Sequence, residues 1–253
     1  MASDAPPRTA ADLLRRVAAD HPDREAYVHG EKRVTYAWLD RAADGFAATL
    51  IDRGVAPGDK VAIYSWDRPE WLDAMLGAYK ARAVPVNVNY RYVADEVRYI
   101  LDNSGSVAVV FERAFAPVVE AVRRDLPQLC HLIVLDDGSD APTTPDAVSY
   151  EEAVAAASPT REFPPRSPDD LYLLYTGGTT GVPKGVMWRA EDIFFGALGG
   201  GGIGNEITRP EEIADRAREG RTRCLPACRP PALLPDADGL HPPASPQVRR
   251  ATA

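Results

Sequence analysis

Cysteine is scarce in this chain, with three in 253 residues. That is too few for a disulfide framework and fits a reducing, cytoplasmic setting. Long apolar runs are lacking as well, so no segment reaches the roughly 20 residues that a membrane-spanning helix needs. The N-terminus, Met1-Ala2-Ser3-Asp4-Ala5-Pro6-Pro7, has no basic stretch and no apolar stretch, and does not read as a secretory signal. There is no excess of positive charge: the net charge of −8 argues against nucleic acid as the main partner. Aromatic residues stop at Phe195. From Arg229 to Ala253 the chain is rich in proline and has no hydrophobic period. Such a segment cannot bury enough apolar area to offset its ordering entropy, so residues 229–253 are expected to form a disordered tail.

What the chain does contain is an alternation of helical and extended patterns over residues 9–135. Thr9, three residues before Asp12, caps an apolar stripe at Leu13, Leu14 and Val17. Residues 34–36 read as strand. Leu39, Ala42, Ala43, Phe46 and Leu50 then recur at helical spacing until Gly54 ends the run. Residues 60–65 form a short apolar strand, and Asp67-Arg68-Pro69-Glu70 opens a helix with proline in its first turn. Strands are expected at 84–86, 107–111 and 131–135, and helices at 93–101 and 116–124. Alternation of this kind implies right-handed crossovers. The expected fold class is therefore α/β, a doubly wound, mostly parallel sheet with helices on both faces.

Residues 136–170 differ, being rich in Asp and Pro; Ser149 and Glu152 form a capping box for one short helix through Ala157. The expected organisation is an N-terminal α/β subdomain over 1–135 and a surface excursion over 136–170. A second subdomain then starts at 171–228, before the tail at 229–253.

The densest chemical signal is Leu174-Tyr175-Thr176-Gly177-Gly178-Thr179-Thr180-Gly181-Val182-Pro183-Lys184-Gly185-Val186. Glycines let the backbone turn several N–H groups toward one point, and such a concave row of donors holds phosphate. The candidate nucleotide-binding residues are Thr176, Gly177, Gly178, Thr179, Thr180, Gly181 and Lys184. In the nucleotide loop of kinases and GTPases, a Gly-Lys-Ser/Thr sequence opens a helix. Here Pro183 stands in place of that Gly and Gly185 in place of the Ser/Thr, and Val186-Met187-Trp188 favours a strand. The expected arrangement is strand, loop, strand.

This stretch resembles the signature of adenylate-forming (AMP-binding) enzymes, the acyl-CoA synthetases, whose usual pattern is Tyr/Phe-Thr-Ser-Gly-Thr-Thr-Gly-x-Pro-Lys-Gly-Val. Gly177 stands where many members have Ser. Two upstream elements also resemble the family: Thr35-Tyr36-Ala37-Trp38-Leu39, and Lys80-Ala81-Arg82-Ala83 followed by Pro85, in which Arg82 replaces a usual Gly. The resemblance covers roughly residues 10–228 and implies ATP, Mg2+ and CoA as cofactors. It also implies a carboxylic-acid substrate, of fatty or sterol side-chain type, activated as an acyl-adenylate. The family's acyl-pocket His, Mg2+-binding Thr-Glu pair and C-terminal catalytic lysine have no match after Cys228. The expectation is a frame change at or just after that residue, giving a truncated, inactive form that exposes an apolar face. A second reading is a nucleotide-binding or interaction protein on the same half-fold, without catalysis.

Other signals are weaker. Gly199-x-Gly201-x-x-Gly204 follows a helix-like stretch rather than a strand and reads as a loop. Cys224 and Cys228 lack a second ligand pair for zinc. Cys130-His131 are neighbours in a strand, where side chains alternate. Trp38, Trp66 and Trp71 read as packing residues, and Asp169-Asp170 as a solvated turn.

Overall fold

The computed structural model describes residues 9–142, 144–155, 163–176 and 182–193, together with the backbone of Val248–Arg249. By internal contacts the chain divides into two units, residues 1–40 with 194–253, and residues 41–193.

In the first unit, α1 (Ala10–Asp20) starts as its sequence implies: the Thr9 hydroxyl accepts from the Asp12 amide at 3.2 Å. The strands β1 (Glu25–His29) and β2 (Lys32–Thr35) pair antiparallel, with a bulge between Glu25 and Tyr27. Strand β2 ends one residue earlier than its pattern suggests, because Tyr36 already begins α2 (Tyr36–Asp52). The Thr35 hydroxyl accepts the Trp38 amide at 3.2 Å and so caps that helix. The backbone of Val248–Arg249 pairs antiparallel with β1; of the expected tail, only this pair falls among the described residues.

The second unit is built on one seven-stranded sheet. Helix α2 runs into it and ends before Gly54, whose φ of +85° suits a residue without a Cβ. Then follow β3 (Lys60–Tyr64), α3 (Pro69–Lys80), β4 (Val84–Val88), α4 (Ala94–Ser104) and β5 (Ser106–Glu112). A short 3-10 turn leads into α5 (Ala116–Arg123), β6 (His131–Leu135), β7 (Val148–Ser149) and α6 (Tyr150–Ala155). Two further strands, β8 (Leu171–Thr176) and β9 (Lys184–Arg189), precede a last turn of helix, α7 (Ala190–Asp192).

The strand order is β7-β6-β5-β3-β4-β8-β9, parallel throughout except for β8 with β9. From β3 the chain winds to β4 on one side, then to β5, β6 and β7 on the other, and returns to set β8 beside β4. This is the doubly wound α/β sheet that the alternating pattern implies.

Each face has its own core. On one, Val97, Ile100 and Leu101 of α4 and Val119 and Val122 of α5 cover Val86, Val109 and Phe111. On the other, Phe46 and Leu50 of α2, Ala74 and Ala78 of α3 and Tyr150 of α6 cover Val61, Ile63 and Val110. Helices α2 and α3 are further joined by Lys80, whose Nζ donates to Asp44 at 2.7 Å with both side chains buried. Such a pair adds less stability than its Coulomb energy, because both ions have left water.

The expected capping box at α6 is present: the Ser149 hydroxyl accepts from the Glu152 amide at 3.1 Å, and the Glu152 carboxylate accepts from the Ser149 amide at 3.3 Å. No helix among the described residues is long and apolar enough to cross a membrane.

Candidate functional site

The glycine- and threonine-rich stretch joins two antiparallel strands, as Val186 and Trp188 imply. Strands β8 and β9 pair in continuous register from Leu171↔Arg189 to Thr176↔Lys184. Thr176 and Lys184 are thus the last cross-strand partners before the loop, and partners directly opposite share a face. Both are exposed. Of the candidate binding residues, the structure brings these two together. Gly177, Gly178, Thr179, Thr180 and Gly181 lie outside the described residues. Val182, on the returning arm, is 57% exposed.

Two residues of the motif have a packing role that sequence reasoning did not assign. The Tyr175 ring lies over Gly185, its partner across the hairpin. A Cβ at Gly185 would stand 3.1 Å from the Tyr175 Cζ and 3.2 Å from Leu173 Cδ1. A side chain there would need the Tyr175 ring and Leu173 to give by a few tenths of an ångström. Beyond it, the Tyr175 hydroxyl donates to Asn103 Oδ1 of α4 at 2.7 Å, tying the loop end of β8 to the helical layer. Burial, with Tyr99 adding to it, pushes the Tyr175 phenol above its ordinary range, so it stays a donor at neutral pH.

The opposite end of the hairpin is held by charge. Arg82 Nε donates to both Asp170 oxygens at 3.1 and 3.2 Å, and Nη2 donates to Oδ1 at 2.8 Å. Asp169 instead pairs with Arg189 at 2.7 Å. The Asp169-Asp170 turn is therefore not merely solvated: each carboxylate has its own arginine, and Asp170 is largely buried. Arg82 and Asp170 are far apart in the chain, which is why no local pattern announced the pair.

The carboxyl ends of the parallel strands, where ligands usually bind in such sheets, carry a second network. Glu112, at the end of β5, is buried. It accepts from the Ser65 hydroxyl at 3.0 Å, the Trp66 amide at 2.8 Å and Arg68 Nη1 at 3.2 Å. Arg68 also donates to Glu70 at 2.8 Å; its burial opposes the charge, but Glu70 and Glu112 outweigh that and hold the guanidinium protonated. The one signal in the sequence was a glutamate closing an otherwise apolar strand. Trp66, half-exposed, meets Phe115 edge to face with ring centres 5.2 Å apart, and Trp71 donates to Asn87 at 3.3 Å.

Among the described residues no group of three or more His, Cys, Asp or Glu side chains gathers to hold a metal. Cys130 is an exposed thiol donating to the Pro127 carbonyl at 3.6 Å, while burial and the nearby Arg53 lower the His131 pKa against the pull of Asp59. Gly199, Gly201, Gly204, Cys224 and Cys228 lie outside the described residues.

The sheet and its antiparallel hairpin define a doubly wound, mostly parallel α/β protein. The AMP-binding enzyme family matches residues 14–213, and the chain belongs to it. A "Medium/long-chain-fatty-acid--CoA/3-oxocholest-4-en-26-oate--CoA ligase" of Mycobacterium tuberculosis is 49% identical over 191 residues, covering 75% of this chain and 35% of the ligase. A "3-oxocholest-4-en-26-oate--CoA ligase" of Rhodococcus rhodochrous is 46% identical over 192 residues, covering 76% of this chain and 34% of that protein. The chain thus spans about a third of the length of these relatives.

Among solved structures, a fatty acyl CoA synthetase of Mycobacterium tuberculosis superposes with a TM-score of 0.61 at 30% identity, covering 77% of this chain and 37% of that one. Acetoacetyl-CoA synthetase of Streptomyces lividans superposes with a TM-score of 0.66 at 26% identity, covering 74% and 31%.

Proposed function

We propose that this chain supplies the ATP phosphate-holding hairpin of an acyl-CoA ligase. The reaction joins a carboxylate to CoA at the expense of ATP, releasing AMP and pyrophosphate. A carboxylate oxygen attacks the α-phosphorus of ATP, pyrophosphate leaves, and the CoA thiolate then displaces AMP from the acyl-adenylate. The observation carrying this reading is the register that sets Lys184 opposite Thr176 at the mouth of the glycine- and threonine-rich loop. In the proposal, Thr176, Gly177, Gly178, Thr179, Thr180, Gly181 and Lys184 hold the β- and γ-phosphates and later the leaving pyrophosphate. Mg2+ accompanies the nucleotide.

Magnitudes divide the labour within this site. A charge pair at 4 Å contributes about 1 kcal/mol in water and about 4 kcal/mol at an effective dielectric near 20. Exposed Lys184 sits toward the lower end, so loop amides and threonine hydroxyls carry comparable weight. The names of the two ligase relatives support a fatty acid or a sterol side-chain acid as the carboxylate, and the low cysteine count supports a cytoplasmic setting.

Equilibrium dialysis with Mg-ATP tests the binding. The chain should retain nucleotide and Lys184→Ala should weaken it about tenfold, with circular dichroism unchanged; equal retention by both would remove the lysine from the site. Carboxylate-dependent ATP–pyrophosphate exchange should be absent from the isolated chain, and measurable exchange would make it a complete catalyst.

A further inference from the structure

Arg82 is one of two described non-glycine residues with positive φ, at +59°. That conformation costs energy for any residue with a Cβ, and persists only where the surroundings over-determine it. The corresponding position in the resembling family is usually glycine, which adopts this turn without strain but offers no side chain. Here the turn between α3 and β4 is fixed on both sides: the Arg82 amide donates to the Tyr79 carbonyl at 3.1 Å, and its carbonyl accepts from Gly58 at 2.8 Å. The guanidinium is thereby aimed at Asp170 and engages both its oxygens, Nε donating to Oδ2 and Nη2 to Oδ1, a two-pronged geometry that lysine cannot copy.

Asp170 is placed to pass that constraint on. Its carboxylate also accepts the Ser167 amide at 2.9 Å, and its carbonyl accepts the Ala190 amide at 2.7 Å, so one residue joins the entry of β8 to the exit of β9. The sheet fixes β8 through a short parallel ladder. Its pairing with β4 comprises Val86↔Leu173 and Asn87↔Leu174, whereas β3 and β5 pair over five positions. A one-residue slip of β8 would turn Leu173 and Tyr175 out of the core and carry Thr176 to the opposite face.

We infer that Arg82, acting through Asp170, is a positioning residue that sets the register of the β8–β9 hairpin and so the placement of its loop. The consequence for nucleotide rests on the phosphate-holding reading above; the consequence for the hairpin does not.

Two substitutions test it in the intact chain. Arg82→Gly keeps the left-handed turn and removes the fork, while Arg82→Lys keeps a charge but not the fork. Hydrogen exchange should rise about tenfold or more at the amides of residues 172–176 and 184–188 in Arg82→Gly, with those of 109–111 unchanged. Arg82→Lys should behave similarly, and the exchanged pair Arg82→Asp with Asp170→Arg should restore part of the protection. Unchanged hairpin exchange, or an equal rise in β5, would overturn the inference, the latter by reducing Arg82 to a contributor to general stability. Mg-ATP affinity should fall about tenfold to a hundredfold in Arg82→Gly. If the unsubstituted chain binds no ATP, the phosphate reading fails, and the exchange data still decide the role of Arg82.

Discussion

Strands β5 and β9 lie in one sheet but differ in sequence: Ser-Val-Ala-Val-Val-Phe-Glu holds an unbroken run of five apolar residues, whereas Lys-Gly-Val-Met-Trp-Arg holds three, bounded by charges. Their surroundings are opposite. Val109, Val110 and Phe111 of β5 have no exposed surface, between paired strands and under helices on both faces. All six residues of β9 are exposed, Met187 by 71%, and among the described residues β9 pairs with β8 alone. The central strand fills the core, and the strand at the edge lies open even where it carries Val186, Met187 and Trp188. What separates them is whether successive βα units deliver cover to both sides. Val182, Val186, Met187 and Trp188 form the kind of uncovered apolar edge that favours association with other chains.

Breaking the buried side of this contrast should cost most. Phe111→Ala removes a fully buried ring, and its urea midpoint should report a loss of about 3–5 kcal/mol, a large share of a domain's total stability. A loss below about 1 kcal/mol would show β5 to be loosely packed.

Gly185→Val probes the contact of β9 with the Tyr175 ring. Its new Cβ would press on the Tyr175 ring and Leu173, and about 1–3 kcal/mol should be lost. NMR of the Tyr175 ring should show it displaced from Asn103, and an unmoved ring would mean that the hairpin yields instead.

The third test is alkaline. Burial, with a smaller push from Glu96, raises the Tyr64 pKa from 10.0 to about 12, while its hydroxyl donates to the Tyr92 carbonyl at 2.8 Å. The unfolded chain would ionise near 10, so this contribution is intact below pH 10 and is lost as pH rises through about 12. Melting temperatures of Tyr64→Phe should accordingly decline less steeply across that window than those of the parent chain. Parallel declines would place the alkaline sensitivity elsewhere.

The smallest effect belongs to Met187→Ser, within about 0.5 kcal/mol of the parent in urea, with reduced aggregation by light scattering. A cost comparable to that of Phe111→Ala would erase the contrast between the two strands.

Much of this fold was legible because its signals are local. The runs at β3, β5 and β6, the Thr9 cap, the Ser149–Glu152 box and the proline opening α3 each draw on neighbours within a few residues. Strand β1 was not legible, since between Glu25 and His29 only three apolar residues remain, and β7 has only two residues. At the candidate site, the hairpin that sets Thr176 opposite Lys184 was legible from Val186 and Trp188. The Arg82–Asp170 fork, the Tyr175–Asn103 bond and the Glu112 network were not. Each joins residues distant in sequence, and only the sheet order brings them together.

That sheet order also assigns each strand a different cost of arrival. Pairing β5 with β6 closes the chain between Ala108 and His131, whereas pairing β4 with β8 closes it between Val86 and Leu173. Closure entropy grows with the logarithm of the span, so the second contact costs about 1 kcal/mol more than the first. The hairpin itself turns back within the few residues from Thr176 to Lys184 and can form before it docks. The chemically loaded part of the chain is therefore cheap to make and comparatively costly to seat.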